Sequence, residues 1–455
     1  MKIRTVILAA GEGKRMKSSL AKPLHCVCGR PILEWVVEAA RAVDPRPVVV
    51  VGHGREQVMA RIHGVDFAVQ EEQKGTGHAV MMAREFIQDA DIVVVMAGDA
   101  PLIPGEMIAG MVEESCARGE DAALLTARME DPTGYGRILT DGEGRVQGIV
   151  EHRDATEEQR QVKLINTLSG CYRGDLLLRY LDQLTCDNAQ GEYYLTDVVG
   201  LMVRDGYKVG IALCPNAAEA MGVNDRVQLA QAEAAMRDRL NRRWMLEGVT
   251  LVDPARTLIS ADAVIGQDTV IYPDNVIEGK TVIGSGCILY PGSRITDSRI
   301  GNGVTVQASV LDHVQVGEGT TVGPFAYLRP GTQVGSECRI GDFVEVKNSV
   351  IGDGTKVSHL TYVGDADLGQ NINVGCGVVF VNYDGTYKYR SVVEDGAFIG
   401  CNTNLVAPVH VGQGAYTAAG STITQDVPPQ SLAIARARQV NKEGWKGKYK
   451  PHAKK

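Results

Sequence analysis

Three groups of residues in this 455-residue chain have the types and spacing to do chemistry. The first is Leu8-Ala-Ala-Gly-Glu-Gly-Lys-Arg-Met16, where an apolar run ends in a loop holding Gly11 and Gly13. Glycines there let the backbone approach a phosphate, and Lys14, Arg15 and Lys22 place positive charge around it. Three readings stay open for this loop taken alone. A dinucleotide-binding loop requires G-x-G-x-x-G, yet Met16 stands where the third glycine belongs. A G-x-x-x-x-G-K-S/T phosphate loop is absent. A plain structural turn would look the same.

The second group is Gln70-Glu-Glu-Gln-Lys-Gly75-Thr76-Gly77, a small-residue loop that opens a helix, together with Ala97-Gly98-Asp99. Asp99 follows the apolar run Ile92–Met96, which puts a carboxylate at the C-terminal end of a strand. Open α/β sheets bind their ligands at that edge. Alone, such an Asp is usually a cap or turn residue; beside two Gly-rich loops it becomes a candidate metal ligand. The third group is Ser358-His-Leu-Thr-Tyr-Val-Gly364 with Asn382-Tyr-Asp-Gly385 and an irregular stretch through Tyr389. Both segments read as interruptions of a repeat, where function concentrates in repeat proteins. His359 alone fits an ordinary surface or core histidine equally well.

These residues need elements to hold them, and the chain supplies two kinds. Up to about residue 226, Thr5–Ala10, Val48–Val51 and Ile92–Met96 read as buried strands, and Pro31–Val43 and Gly77–Phe86 as helices. Alternating helices and fully apolar strands predict a Rossmann-like, mainly parallel sheet covered on both faces. Asn224–Glu247 has helical spacing and neither Gly nor Pro, so it reads as one long connecting helix. The expected division is therefore 1–226, a helical linker at 227–247, and 248–455.

Beyond the helix an apolar residue recurs every six positions. Val264, Val270, Val276, Val282 and Ile288 keep this register, as do Val316, Val322, Leu328, Val334, Ile340 and Val346. After phase shifts, Ile399, Leu405 and Val411 resume it. A six-residue period fits neither a helix nor an alternating strand; it predicts a hexapeptide β-helix in which these residues point inward. The 52 glycines and the 5% aromatic content suit such a turn-rich solenoid.

Composition narrows the function classes. A net charge of -8 leaves no basic surplus for a nucleic-acid backbone. No run of 18 apolar residues predicts a membrane span, and the N-terminal apolar stretch runs into Gly and basic residues, unlike a secretory signal. The ten cysteines show no disulfide framework or zinc spacing, only a lone Cys26-x-Cys28. Free thiols in a cytoplasmic protein are expected. The basic tail Trp445–Lys455 reads as a solvated extension, with a contribution to binding a ligand's phosphates as the alternative.

LAAGxGxRM, Lys22-Pro23, QxxGTGHA and GDAPL together resemble the sugar nucleotidyltransferases. Gly134-Tyr-Gly-Arg-Ile, Ile149-Val-Glu-His-Arg-Asp-Ala-Thr, Gly191-Glu-Tyr-Tyr-Leu-Thr-Asp and Gly222-Val-Asn narrow the likeness. They resemble the bacterial bifunctional N-acetylglucosamine-1-phosphate uridyltransferase/glucosamine-1-phosphate acetyltransferases, over essentially the whole chain. HLTYxGD and NYDG match the same family. The resemblance implies an α/β nucleotidyltransferase domain joined by a long helix to a left-handed parallel β-helix. It also implies Mg²⁺, UTP and acetyl-CoA as cofactor and co-substrates, and a homotrimer built through the β-helix.

Carried over by residue, the resemblance implies that Leu8, Ala9, Ala10, Gly11 and Arg15 cradle the nucleotide and that Gln70, Gly75 and Thr76 hold uracil and ribose. Lys22 would contact phosphates, and Asp99 with Asn224 would bind Mg²⁺. Gly136, Glu151 and Asn166 would hold the sugar and its N-acetyl group. In the second half, His359 would be the general base, and Arg329, Lys347, Tyr362 and Asn373 would hold the sugar phosphate. Cys376, Asn382, Tyr383, Cys401, Ala419 and Arg436 would line the acetyl-CoA site. One departure stands out: the family's I-N-T-G is here Ile165-Asn-Thr-Leu-Ser-Gly170. Two other classes compete with this reading. A single-function nucleotidyltransferase with a regulatory β-helix should lack the His359 and Asn382-Tyr383 context. A non-catalytic assembly subunit should lack Asp99, Lys22 and the loop glycines.

Overall fold

The computed structural model describes residues 1–445, which form two compact units, Met1–Arg239 and the remainder from Leu240. The basic tail falls outside the described residues, apart from Trp445.

In the first unit the apolar runs are strands of one sheet. Its order is Val209–Leu213, Ala122–Arg128, Leu164–Arg173, Ile92–Ala97, Ile3–Ala9, Val48–Val51 and Asp66–Val69. All pair in parallel except Leu164–Arg173, which is antiparallel to both neighbours. A hairpin of Gly136–Thr140 and Val146–Val150 joins through that reversed strand.

Val48–Val51 and Ile92–Ala97 are apolar at every position because both sheet faces are covered. Ile7, Val49, Val51, Val94 and Met96 meet Leu33, Val36 and Val37 of the Ile32–Ala40 helix, with Ile108, Met111 and Val112 of the Gly105–Ala117 helix. Val6, Val48, Val50, Val93 and Val95 face the other way, toward Ala79, Val80, Leu176, Leu177, Val198 and Met202. Strand side chains alternate faces, so consecutive valines serve opposite layers. Burying each stabilises the fold by about 1.5–3 kcal/mol before entropy. The long helix spans Arg226–Leu246, and Glu233 on it accepts a 2.6 Å hydrogen bond from the Cys28 backbone N–H.

The second unit is three parallel sheets of eleven, ten and nine short strands. Successive strands go to the three sheets in turn, so each up to the last coil pairs with the strand three further on, as in a triangular coil stacked on the next. This is the left-handed hexapeptide β-helix. Its core is a stack of Ile, Leu and Val side chains running from Ile259 to Ile423.

Two expectations need correction. In the early coils the inward residues are Ile265, Ile271, Ile277, Ile283 and Leu289, all buried, whereas Val264 is 55% exposed. The predicted register is off by one there, and a one-residue slip exchanges the two faces of a strand. Each early strand is an apolar pair such as Val270-Ile271, so the period could not say which member points in. Where the first member is polar, as in Gln315-Val316 or Gln333-Val334, Val316 and Val334 are the buried residues, as expected.

The segment Ser358–Gly364 also does not leave the coil. Lys356–His359 and Tyr362–Gly364 pair in register with the strands before them, and Val357, Val363 and Leu368 keep the core going. The real excursion lies between Phe380 and Val393, where residues 382–390 fold back on themselves with Tyr383 bridged to Lys388.

Candidate active sites

In the first unit, Ile3–Ala9 and Ile92–Ala97 lie side by side with Leu8 opposite Ala97, so both strands empty onto one edge of the sheet. A cavity of about 380 Å³ opens there. Leu8, Ala9, Ala10, Gly11, Lys22, Gln70, Gly75, Thr76 and Asp99 line it, a group the sequence had gathered from four separate segments. Arg15 sits exposed on the short Lys14–Met16 turn and is not among the lining residues.

The loop before the Thr76–Met82 helix is shaped by Gly75. Its φ is +105°, and a Cβ there would lie 2.5 Å from the Tyr193 carbonyl oxygen. Only glycine accommodates both. The Gln70 amide donates to the Gly75 carbonyl at 3.1 Å, and the Thr76 hydroxyl accepts from the Leu195 N–H at 3.0 Å. The first bond closes the loop on itself, and the second ties it to the Glu192–Thr196 segment.

The Lys22 ammonium is 2.5 Å from Asp99 Oδ2 and 2.8 Å from Asn224 Oδ1. Residues 77 and 202 positions apart thus converge on one point. A carboxylate and an amide oxygen facing one cation form a site built for positive charge. Hard divalent cations take such oxygen donors, completing their shell with water and substrate phosphates. The donor set fits Mg²⁺, with the lysine ammonium standing where cationic charge belongs.

A second cavity of about 230 Å³ adjoins the first, and Thr76, Ala97, Asp99, Leu168 and Glu192 line both. Gly136, Glu151, Asn166 and Asn224 lie in this second compartment. Burial pushes the Glu151 carboxyl above the usual carboxylate range, opposed by the hydrogen bond it accepts from the Thr196 hydroxyl at 3.1 Å. The sequence reading missed Tyr135, Leu168, Gln190, Glu192 and Tyr194 in this wall. The Gly191-Glu-Tyr-Tyr motif was the available signal for two of them, Glu192 and Tyr194.

In the second unit, the register builds a column up one sheet. Asp342 pairs with His359, and the Asn402 N–H to Cys376 carbonyl (2.8 Å) and Gly420 N–H to Cys401 carbonyl (2.8 Å) bonds continue the stack. Asp342, His359, Cys376, Cys401 and Ala419 therefore occupy equivalent positions of successive coils. Asp342 Oδ1 is 2.6 Å from His359 Nδ1. That hydrogen bond holds the Asp342 carboxyl below the usual range. With Nδ1–H donated to the carboxylate, the His359 Nε2 lone pair is left free to accept a proton. Asp342 was missed in the sequence because the pairing spans 17 residues, one coil.

On the neighbouring sheet, Arg329 and Lys347 follow the paired residues Leu328 and Val346. Arg329 bonds Glu345 at 2.8 Å, and Lys347 lies 3.5 Å from Asp365. Asp365 also accepts from Asn348 and from the buried Asn382, and Asn382 reaches the Tyr362 hydroxyl at 3.4 Å. Lys388, on the excursion, meets Lys347, and that ammonium pushes its own pKa down. Two lysines facing each other make a site that a phosphate would relieve. Lys388 was missed because nothing in the sequence marks which residue of an irregular loop turns back. Asn373 lies on the adjoining sheet, in register with Lys356 and Phe398. Tyr383 and Arg436 are exposed, the former donating its hydroxyl to the Gly385 carbonyl at 2.6 Å and the latter beside Gly420.

A loop-lined cleft at the sheet edge of an α/β unit and an Asp342–His359 pair on a β-helix fit a two-domain transferase. The family models agree: residues 5–186 match the MobA-like NTP transferase domain, and residues 262–297 and 313–348 match the bacterial transferase hexapeptide. The chain is 51% identical to the bifunctional protein GlmU of Geobacillus sp. (strain WCH70) over 97% of its length and 96% of that protein's. Identity is 52% to the GlmU of Clostridium novyi (strain NT), covering 97% and 98%. It is 51% to that of Clostridium botulinum (strain Langeland / NCTC 10281 / Type F), covering 97% of each. The chain belongs to the GlmU family of bifunctional proteins.

Proposed function

We infer that the chain makes UDP-N-acetylglucosamine in two steps, N-acetylating glucosamine 1-phosphate with acetyl-CoA and then transferring UMP to the product from UTP. One observation carries this reading: each unit presents its own convergent site, Lys22–Asp99–Asn224 in one and Asp342–His359 in the other. Uridyltransfer is assigned to residues 1–226 and acetyltransfer to 248–455, with 227–247 between them.

In acetyltransfer, the sugar amine attacks the thioester carbonyl while His359 Nε2 takes its proton. The new C–N bond forms, the C–S bond breaks, and coenzyme A leaves as the thiol after reprotonation. Asp342 fixes the ring and balances the imidazolium charge. Arg329, Lys347 and Lys388 offer the charge that the sugar phosphate requires, with Tyr362 and Asn373 beside them. Cys376, Asn382, Tyr383, Cys401, Ala419 and Arg436 are assigned to acetyl-CoA.

In uridyltransfer, a phosphate oxygen of N-acetylglucosamine 1-phosphate attacks the α-phosphorus of UTP, and the bond to the β-phosphate breaks to release pyrophosphate. Little proton transfer is needed, so positioning and charge neutralisation supply the rate. Asp99 and Asn224 would hold Mg²⁺, which neutralises phosphate charge when bound. Lys22 and Arg15 add fixed positive charge. Leu8–Gly11, Gln70, Gly75 and Thr76 seat the nucleotide, and Gly136, Glu151 and Asn166 the sugar.

The working unit is assigned as a homotrimer in the cytoplasm. Phe325, Phe343 and Leu360 stand at equivalent positions of consecutive coils, each 58% exposed, with the two phenyl rings stacked at 5.4 Å. Such an apolar ridge beside His359 suits contact with another copy. Among the described residues no helix is long and apolar enough to cross a membrane, and all ten cysteines are free thiols. Incubating the purified chain with glucosamine 1-phosphate, acetyl-CoA, UTP and Mg²⁺ tests the reading. UDP-N-acetylglucosamine and pyrophosphate should form, and omitting acetyl-CoA should prevent it. Absence of both half-reactions in folded protein would overturn it.

A further inference from the structure

Leu168 holds a backbone conformation that leucine rarely adopts, with φ at +62°. It lies where the Leu164–Arg173 strand slips register against Ala122–Arg128, between Asn166 and Gly170. Strained positions of this kind persist only where the surroundings over-determine them, and they cluster at functional sites. Here three bonds fix the bulge. The Leu168 N–H donates to Asn166 Oδ1 at 3.2 Å, the Thr167 hydroxyl donates to the Leu125 carbonyl at 2.8 Å, and it accepts from the Ser169 N–H at 3.3 Å.

The bulge delivers Leu168 to the wall shared by the two compartments of the first unit's cleft. The other aliphatic residues lining the second compartment are Ala97, Ala100 and Ala220, so Leu168 supplies its one long aliphatic side chain. The remaining wall is glycine, tyrosine and hydrogen-bonding groups such as Glu151 and Asn166. A hexosamine 1-phosphate offers hydroxyls and a phosphate to those polar groups. Its only compact apolar group is the methyl of an N-acyl substituent. The nucleotide brings charged phosphates to the same junction, and these gain nothing from a leucine.

On the functional reading above, we propose that Leu168 is a specificity-determining residue whose isobutyl group packs against the acyl methyl and selects N-acylated hexosamine 1-phosphates. Sugar 1-phosphates with a free amine or a hydroxyl at that position forgo the contact. One buried methyl group discriminates by roughly 10–200-fold in such a pocket.

Uridyltransfer by the full chain tests this without acetyl-CoA, so that an amino sugar stays an amino sugar. The measurement compares kcat/KM for N-acetylglucosamine 1-phosphate, glucosamine 1-phosphate and glucose 1-phosphate in the native chain, Leu168→Gly and Leu168→Met. Glycine suits the positive φ and methionine keeps the apolar volume. Leu168→Gly should lose about tenfold of the preference for the acetylated sugar, through its KM, with glucose 1-phosphate use within about twofold of native. Leu168→Met should retain the preference. An unchanged preference in Leu168→Gly, an equal loss on all three sugars, or a lost preference in Leu168→Met would overturn the proposal. A native chain that uses none of the sugars would instead overturn the functional reading on which it rests.

Discussion

The two sites solve the same problem, moving a group onto a sugar phosphate, with opposite architectures. In the first unit the reacting groups line a cleft at a sheet edge, and Lys22 has little of its side chain in solvent, at 13%. In the second, the His359 side chain is 54% exposed, and its neighbours are ranked along flat sheet faces. A doubly covered sheet makes its own walls from loops that rise beyond the strand ends. A solenoid has no such loops except where one leaves the coil, as residues 382–390 do. The α/β unit can therefore enclose a substrate by itself, whereas the β-helix has the excursion for enclosure, to which the proposed trimer would add neighbouring copies.

That contrast is open to attack at several points, beginning with the largest effect. His359→Ala should lower acetyl turnover by roughly 10²–10⁴-fold and leave uridyltransfer unaltered. Near-native acetyl turnover at neutral pH would mean that another group takes the proton. Asp99→Ala should cut uridyltransfer by roughly 10²–10³-fold, as expected when a preorganised charge is removed from a phosphoryl-transfer site. Acetyltransfer should persist, and equal loss of both activities in folded protein would break the separation of the sites.

A smaller effect concerns pH. Because burial raises the Glu151 carboxyl, it takes up its proton at a pH above the usual carboxylate range. The folded state then binds the proton more tightly than the unfolded one, so this group favours folding at acid pH and loses that contribution as pH rises through its raised value. An ionised Glu151 accepting sugar hydroxyls should make uridyl kcat/KM fall as pH drops through that same value. Glu151→Gln should remove this limb, and an identical profile in the variant would contradict the assignment. The smallest effect is at Cys376 and Cys401, half-buried and exposed respectively. Thiol alkylation should slow acetyltransfer selectively, and acetyl-CoA should protect both positions in peptide mass mapping. Modification unaffected by acetyl-CoA would remove these two residues from the acetyl-CoA site.

Much of this organisation was legible in the sequence, for physical reasons that also explain the failures. Val48–Val51 and Ile92–Met96 announce a doubly covered sheet because both faces must be apolar. The six-residue period announces the coil because no other element repeats at that interval. The same period could not assign the face in Val-Ile pairs such as Val264-Ile265, where hydrophobicity does not distinguish the members. Ser358–Gly364 was read as an interruption because its polar residues mask a register that Val357 and Val363 preserve. Asp342 and Lys388 were invisible because coil stacking and a back-folded loop bring them to the site from a distance. The Leu168 bulge was visible only as an altered motif, since a strand slip leaves no periodic trace.

The central claim, two independent sites on one chain, is tested most directly by mixing two variants. Asp99→Ala and His359→Ala proteins should each fail to make UDP-N-acetylglucosamine from glucosamine 1-phosphate, acetyl-CoA and UTP. Mixed in one vessel they should restore it, because the acetylated sugar released by the first is the substrate of the second. If each variant is folded and the mixture still forms no product, the two activities do not reside at the sites proposed for them.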